Sequence, residues 1–197
     1  MASLRFVVIL GSTREGRLGE NVAKNIIKCI KERNHHVEFI DPLKLGSNGH
    51  IEQPLHFRKD PSQAPEWMIS TNAKIQQANA FIIVTPEYNC ALPPALTSIM
   101  DQFPPASYRH KPCAIVAYSL GTFGGIRAAA FARPFLSELG MISTPYACVI
   151  PQVQGKFNDD GECTDDRIKK NVEKLMDEIQ WYGLAISDKI KADGVPS

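Results

Sequence analysis

Along the chain, short unbroken apolar runs alternate with stretches whose apolar residues recur every three or four positions. Phe6-Val7-Val8-Ile9-Leu10 is continuous, rich in β-branched residues and closed by Gly11, the pattern of a strand covered on both faces. Comparable runs at Ala80 to Thr85, within Pro112 to Ser119 and at Ser143 to Ile150 predict three more strands, and His36 to Ile40 another. Between them, Val22, Ala23, Ile26, Ile27 and Ile30 mark a helical stripe over Glu20 to Arg33. Helices are also predicted over Trp67 to Ala78, from Pro93-Pro94 towards Phe103, and over Arg127 to Leu139 with a kink at Pro134. Asp165 or Asp166 caps a last helix carrying Ile168, Val172, Leu175, Ile179, Tyr182 and Ile186 on one stripe.

Five buried strands alternating with helices predict a single α/β domain over residues 1–197, its parallel sheet covered on both faces. Residues 41–65, proline-rich and of mixed charge, read as a long surface loop. Composition agrees: 197 residues, 44% hydrophobic and 22% charged, exclude disordered, collagenous and coiled-coil classes. Folding at this length buries roughly 70% of the unfolded chain's surface, enough for a self-sufficient core.

Charge narrows the function classes. Twenty-two basic against 21 acidic residues leave a net +1, with no long-range attraction for nucleic acid or an anionic membrane. The five cysteines are odd in number and form no C-x-x-C pair, and no N-x-S/T sequon occurs, which argues against a disulfide framework or a zinc site. The apolar run at Phe6 to Leu10 is too short for a signal-peptide core or a membrane span, so a reducing cytoplasm is expected.

Three segments carry candidate chemistry. G-S-T-R-E-G-R-L-G-E-N, residues 11–21, leaves one strand and enters a helix, placing free amides and a helix's positive end at the sheet's carboxyl edge. Ser12, Thr13, Arg14, Arg17 and Asn21 add donors and charge suited to a terminal phosphate. The glycine spacing matches neither a Walker A loop nor the dinucleotide fingerprint, and a polar turn with solvated arginines is the plain alternative. T-P-E-Y-N-C-A-L-P-P-A-L, residues 85–96, is stiffened by proline and presents Glu87, Tyr88 and Asn89 as a rigid edge for a planar heterocycle. Y-S-L-G-T-F-G-G-I-R, residues 118–127, has glycines that let backbone approach a ligand closely. Taken singly, the latter two are equally well read as packed turns. In an open parallel sheet all three loops emerge at one edge, where ligands sit at the switch point.

Other candidates are weaker. His35 and His36 are expected on the surface, and His50, His56 and His110 lack metal-ligand spacing. Ser119 is not in a nucleophile elbow, Cys90 reads as a small packed thiol, and Trp181 falls off its helix's apolar stripe.

G-S-T-R-E-G-R-x-G-E, V-T-P-E-Y-N-x-x-x-P-x-A-L and S-x-G-x-x-G-G-x-R, in this order, resemble the NADPH-dependent FMN reductase family of flavodoxin-like quinone and azo reductases. F-N-D-D-G-E-x-T-D before the last helix resembles the family's final loop. The resemblance implies a flavodoxin-like three-layer sandwich with strand order 2-1-3-4-5, non-covalent FMN, and NADPH or NADH as co-substrate. It places Ser12, Arg14, Glu20, Asn21 and Val22 around the FMN phosphate. Pro86, Glu87, Tyr88 and Asn89 would line the isoalloxazine, with Ser119 and Gly121 at its other polar edge. No side chain is needed as a catalytic nucleophile. It further implies a small-molecule electron acceptor and a homodimer or homotetramer. Thr97-Ser98 replaces a frequent Lys-Asn of the family, and Asn48 to Pro65 is unusual for it, with His56, Phe57 and Arg58 as candidates to reach a neighbouring subunit. A flavodoxin-type electron carrier and a flavin-free nucleotide-binding module remain as rivals; flavodoxins are typically strongly acidic, unlike this chain.

Overall fold

The computed structural model describes residues 2–45 and 53–196. Its strands are β1 (Arg5–Leu10), β2 (His36–Ile40), β3 (Ala80–Pro86), β4 (Pro112–Tyr118) and β5 (Ile142–Ile150). The helices are α1 (Gly19–Glu32), α2 (Glu66–Gln77), α3 (Pro94–Asp101), α4 (Pro105–Tyr108), α5 (Ile126–Glu138) and α6 (Asp166–Asp193). The five strands are parallel in the order β2-β1-β3-β4-β5, the flavodoxin-like topology.

Strand alternation explains the unbroken apolar runs. Phe6, Val8 and Leu10 of β1 and Ala80, Ile82 and Val84 of β3 face one core, closed by α1 and α6. Val7, Ile9, Phe81 and Ile83 face the other, closed by α2, α3 and α5. A strand between two helical layers has no solvent face to fill with polar residues. Polar clips bracket the β1–β3 register. Arg5 N donates to Asn79 Oδ1 at 2.8 Å and Asn79 N to Arg5 O at 2.8 Å, while Gly11 N donates to Val84 O at the other end.

The helices follow their sequence signals. Asp165 caps α6 by accepting from Arg167 N and Ile168 N, and Pro134 lies inside α5 without ending it. The stretch from 41 to 65 is more integrated than a surface loop. Its described part forms turns at Pro42–Lys44, Leu55–Phe57 and Pro61–Gln63, and it buries Leu55 and Ala64 in the second core. His50 lies outside the described residues. His35 is a correction: it is buried against Phe6, and its Nδ1 accepts the Leu4 amide at 3.2 Å. The loop before α6 docks on α1, where Asn25 Nδ2 donates to Gly161 O and Lys24 Nζ to Asp159 O. No helix among the described residues is long and apolar enough to cross a membrane.

Candidate functional site

The loops after β1, β3 and β4 meet at the carboxyl edge of the sheet around one crevice of about 490 Å³. It lies where the strand order reverses between β1 and β3, and its volume is within the range of small-ligand sites. Ser12, Arg14, Pro86, Glu87, Tyr88, Asn89, Ser119 and Gly121 all line it. Glu20 and Asn21 instead line an adjoining hollow between the start of α1 and Asp159, and the Val22 side chain is in the core.

The loop after β1 uses its two arginines differently. Arg17 forms a two-pronged pair with Asp41 at 2.7 and 2.5 Å and also donates to Ser12 O at 2.6 Å. The paired side chains are only 7% and 1% exposed, and the bond to Asp41 raises the Arg17 pKa despite burial. Arg17 is therefore a strut between this loop and the end of β2, and it is not free to hold a phosphate. Arg14 is exposed and lies over the Tyr88 ring, 3.7 Å from its centroid. The amides of Thr13, Glu15 and Gly16 find no protein acceptor among the described residues. Those of Glu20, Asn21 and Val22 already donate to Arg17 O and Leu18 O.

Beneath this loop stands Tyr118, the last residue of β4, which the sequence reading did not assign. Its buried phenol sits beside the Gly19 amide and the Ser12 hydroxyl, and burial raises its pKa, keeping it a neutral O–H. A Cβ at Gly19 would fall 2.1 Å from the Tyr118 oxygen, so glycine is required there for close packing. Ser12, itself buried, shares a 2.7 Å hydrogen bond with the Tyr88 hydroxyl, which ties the first loop to the second.

The segment after β3 is a tight turn. Tyr88 and Ala91 exchange backbone bonds of 3.1 and 2.9 Å, and Asn89 and Cys90 between them have φ of 50° and 66°. Positive φ at both central residues marks a type I′ turn, a position where Asn is common and Cys is not. The turn throws Cys90 outward, so the thiol is exposed and not packed. The Glu87 carboxylate points to the start of α5, where it accepts from Arg127 and from two amides of the helix. Burial pushes its pKa up, those donors pull it down, and the net value is below that of an ordinary glutamate.

The loop after β4 closes the far side. Ser119 Oγ donates to Gly121 O at 3.1 Å, and Gln152 N and Val153 N reach back to Gly121 O and Ser119 O. Leu120 and Phe123 form an apolar rim, 66% and 67% exposed, and Arg127 lies over the Phe123 ring. Leu120, Phe123 and Arg127 are further lining residues that were not singled out. Arg127 was visible as the last residue of the glycine-rich motif, but nothing in the sequence paired it with Glu87. Among the described residues no group of three His, Cys, Asp or Glu is placed to hold a metal.

Such a site, an amide-lined loop opposite a rigid aromatic turn, suits a ligand with an anionic end and a flat end. The chain is 31% identical over 134 residues to the NADH:(hydroxy)cinnamate reductase subunit CrdA of Vibrio ruber, a match covering 66% of each. It is 30% identical over 139 residues to a quinone reductase of Escherichia coli K12, covering 68% of this chain and 69% of that one. The solved structure of FerB, a flavoenzyme NAD(P)H:(acceptor) oxidoreductase from Paracoccus denitrificans, superposes with a TM-score of 0.72 at 23% identity. That likeness covers 91% of this chain and 98% of FerB, and it concerns the fold. The profile of the NADPH-dependent FMN reductase family matches residues 4–155, and the chain belongs to that family of oxidoreductases.

Proposed function

We propose that residues 1–197 form one flavin-binding domain that holds FMN without a covalent link in the crevice. In this reading electrons pass from NAD(P)H to a small-molecule acceptor such as a quinone, a free flavin, an azo compound or a metal ion. The observation that carries the proposal is the junction, within one cavity, of an amide-rich loop and a stiff aromatic edge at the switch point. The residues fit the cofactor. Gly16, at φ 64° with open space around it, and the unpaired amides of Thr13 and Glu15 suit a phosphate, as does exposed Arg14. Ser12 adds a hydroxyl, and Glu20, Asn21 and Val22 act from the start of α1 through its positive end.

Pro86, Tyr88 and Asn89 form one side of the ring slot, and Ser119 and Gly121 the other, with Glu87 at its base. When bound, FMN supplies the hydride and electron chemistry. The chain's part is to bind, orient and shield: Tyr88 offers a flat wall, and the strained Asn89–Cys90 turn presents its edge with little freedom left to lose. Leu120 and Phe123 give the mouth an apolar rim for a flat acceptor. Assembly as a homodimer or homotetramer belongs to the same reading, supported by Ile126 and Phe131, 47% and 58% exposed on α5 beside the crevice. The expected compartment is the cytoplasm.

The test is the visible spectrum of the purified protein before and after anaerobic NADPH. Flavin bands that bleach with NADPH and return with a quinone are expected, with steady turnover and no partner protein. A spectrum that stays flat after incubation with FMN would overturn the proposal.

A further inference from the structure

Helix α5 begins without a cap of its own. Gly125 stands at the N-cap position with φ 83° and has no side chain to accept the first amides. The acceptor comes from forty residues earlier in the chain. Glu87 Oε2 takes the Arg127 amide at 3.0 Å and the Ala128 amide at 3.3 Å. Oε1 accepts Arg127 Nε at 2.7 Å and pairs with its Nη2 as well. Glu87 is also the first residue past β3, and its own amide donates to Tyr118 O at 3.2 Å. A carboxylate only 5% exposed therefore fastens the base of the Tyr88–Ala91 turn to the start of α5.

That junction reaches both walls of the slot. On the far side, Gly124 and Gly125 are packed against backbone. A Cβ would lie 2.9 Å from Pro151 N at one and 2.9 Å from Tyr118 N at the other. The loop 119–125 is therefore seated on the ends of β4 and β5 and runs directly into the start of α5. On the near side, the two backbone bonds between Tyr88 and Ala91 make the turn a unit. The two walls rise from the paired ends of β3 and β4, and beside the Glu87 N–Tyr118 O bond the ion pair is the side-chain link that joins them at the base.

We propose that Glu87 is a positioning residue, whose ion pair with Arg127 sets the separation of the two walls and hence the fit of a planar ring. The role rests on the reading that the crevice binds FMN. It acts on the ring end and leaves the phosphate end untouched, which gives it a signature.

Glu87→Gln keeps the shape of the side chain and removes its charge. Binding of FMN and of riboflavin, which lacks the phosphate, would be measured on the flavin-stripped full chain by flavin fluorescence, alongside thermal unfolding. Both dissociation constants should rise by the same factor, about tenfold for lost charge-assisted bonds, with the FMN-to-riboflavin ratio unchanged. Unchanged binding with a lowered unfolding temperature would make the pair merely structural and overturn the proposal. A loss confined to FMN would move the effect to the phosphate end and overturn it too. If Glu87→Gln does not fold, Arg127→Gln, which leaves the two amide bonds in place, should give a smaller rise for both flavins at the same ratio. No rise in that variant overturns the proposal. Wild-type protein that binds neither flavin would overturn the functional reading, and the positioning role with it.

Discussion

At its β1 end the crevice is made of backbone amides and an exposed arginine, with the one buried ion pair, Arg17–Asp41, placed behind it as a strut. At its β3 and β4 end the walls are a strained turn and a double glycine, and the buried Glu87 carboxylate, paired with half-exposed Arg127, lies at the base between them. Each end thus uses one ion pair to fix a loop. The difference lies in what is left to touch the ligand: backbone amides and a guanidinium at one end, a tyrosine wall and turn edges at the other. An anion is held by donors that adjust to it, whereas a ring is selected by the width of its slot.

The sharpest way to break this picture is Asp41→Ala, which leaves Arg17 buried beside the loop without its partner. A loss of about 3–5 kcal/mol in denaturant unfolding is expected for a stranded buried charge. A loss near that of a surface pair, under about 1 kcal/mol, would show that the strut is solvated. Next comes Gly19→Ala, whose Cβ must displace the Tyr118 phenol. It should cost about 1–3 kcal/mol for overpacking and weaken FMN binding, whereas Gly16→Ala, strained only by its positive φ, should cost about 1–2 kcal/mol.

Arg14→Ala sharpens the contrast between the ends. FMN affinity should fall about 10- to 100-fold, the worth of charge-assisted bonds to a phosphate, while riboflavin affinity changes little. Turnover of the flavin-saturated variant should stay near wild type; normal FMN affinity with lost turnover would show that the residue was assigned to the wrong task.

Acid titration reports on the other end. The folded-state pKa of Glu87 lies below its ordinary value, so its contribution to stability is full above the unfolded value and lost as pH falls through the folded one. The gap in stability between wild type and Glu87→Gln should therefore narrow on acidification below roughly pH 4.5; a gap independent of pH would contradict an ionised Glu87. The smallest effect belongs to Cys90→Gly. Relief of the left-handed φ, less the extra chain entropy of glycine, should stabilise the fold by about 0.5–1 kcal/mol in thermal unfolding.

Much of the architecture was legible because strands buried on both faces leave unbroken apolar runs, and because Asp165 as a cap and Pro94 in a first turn mark helix starts. The crevice was legible as three loops following three strands. Which charged residue does what was not. Arg14 and Arg17 are equivalent in sequence, and only the packing of Asp41 at the end of β2 separates them. Glu87 resembles a ring-lining residue until α5, forty positions away, supplies donors for its carboxylate. Cys90 was misjudged because cysteine is ordinarily buried, and here the backbone of a type I′ turn decides. His35 was misjudged because its partner is the amide of Leu4, just before β1 and far from it in sequence.

The clips that bracket β1 and β3 bear on how this molecule avoids misassembly. Sliding one of these strands past the other by a residue would exchange one apolar set for another, so hydrophobic pattern alone discriminates poorly against the slip. A slip would, however, break the reciprocal bonds between Arg5 and Asn79 at one end and the Gly11 bond at the other. A single asparagine, about 20 Å from the crevice along the strand, thereby acts as the index mark that brings the Ser12 loop and the Tyr88 turn into phase.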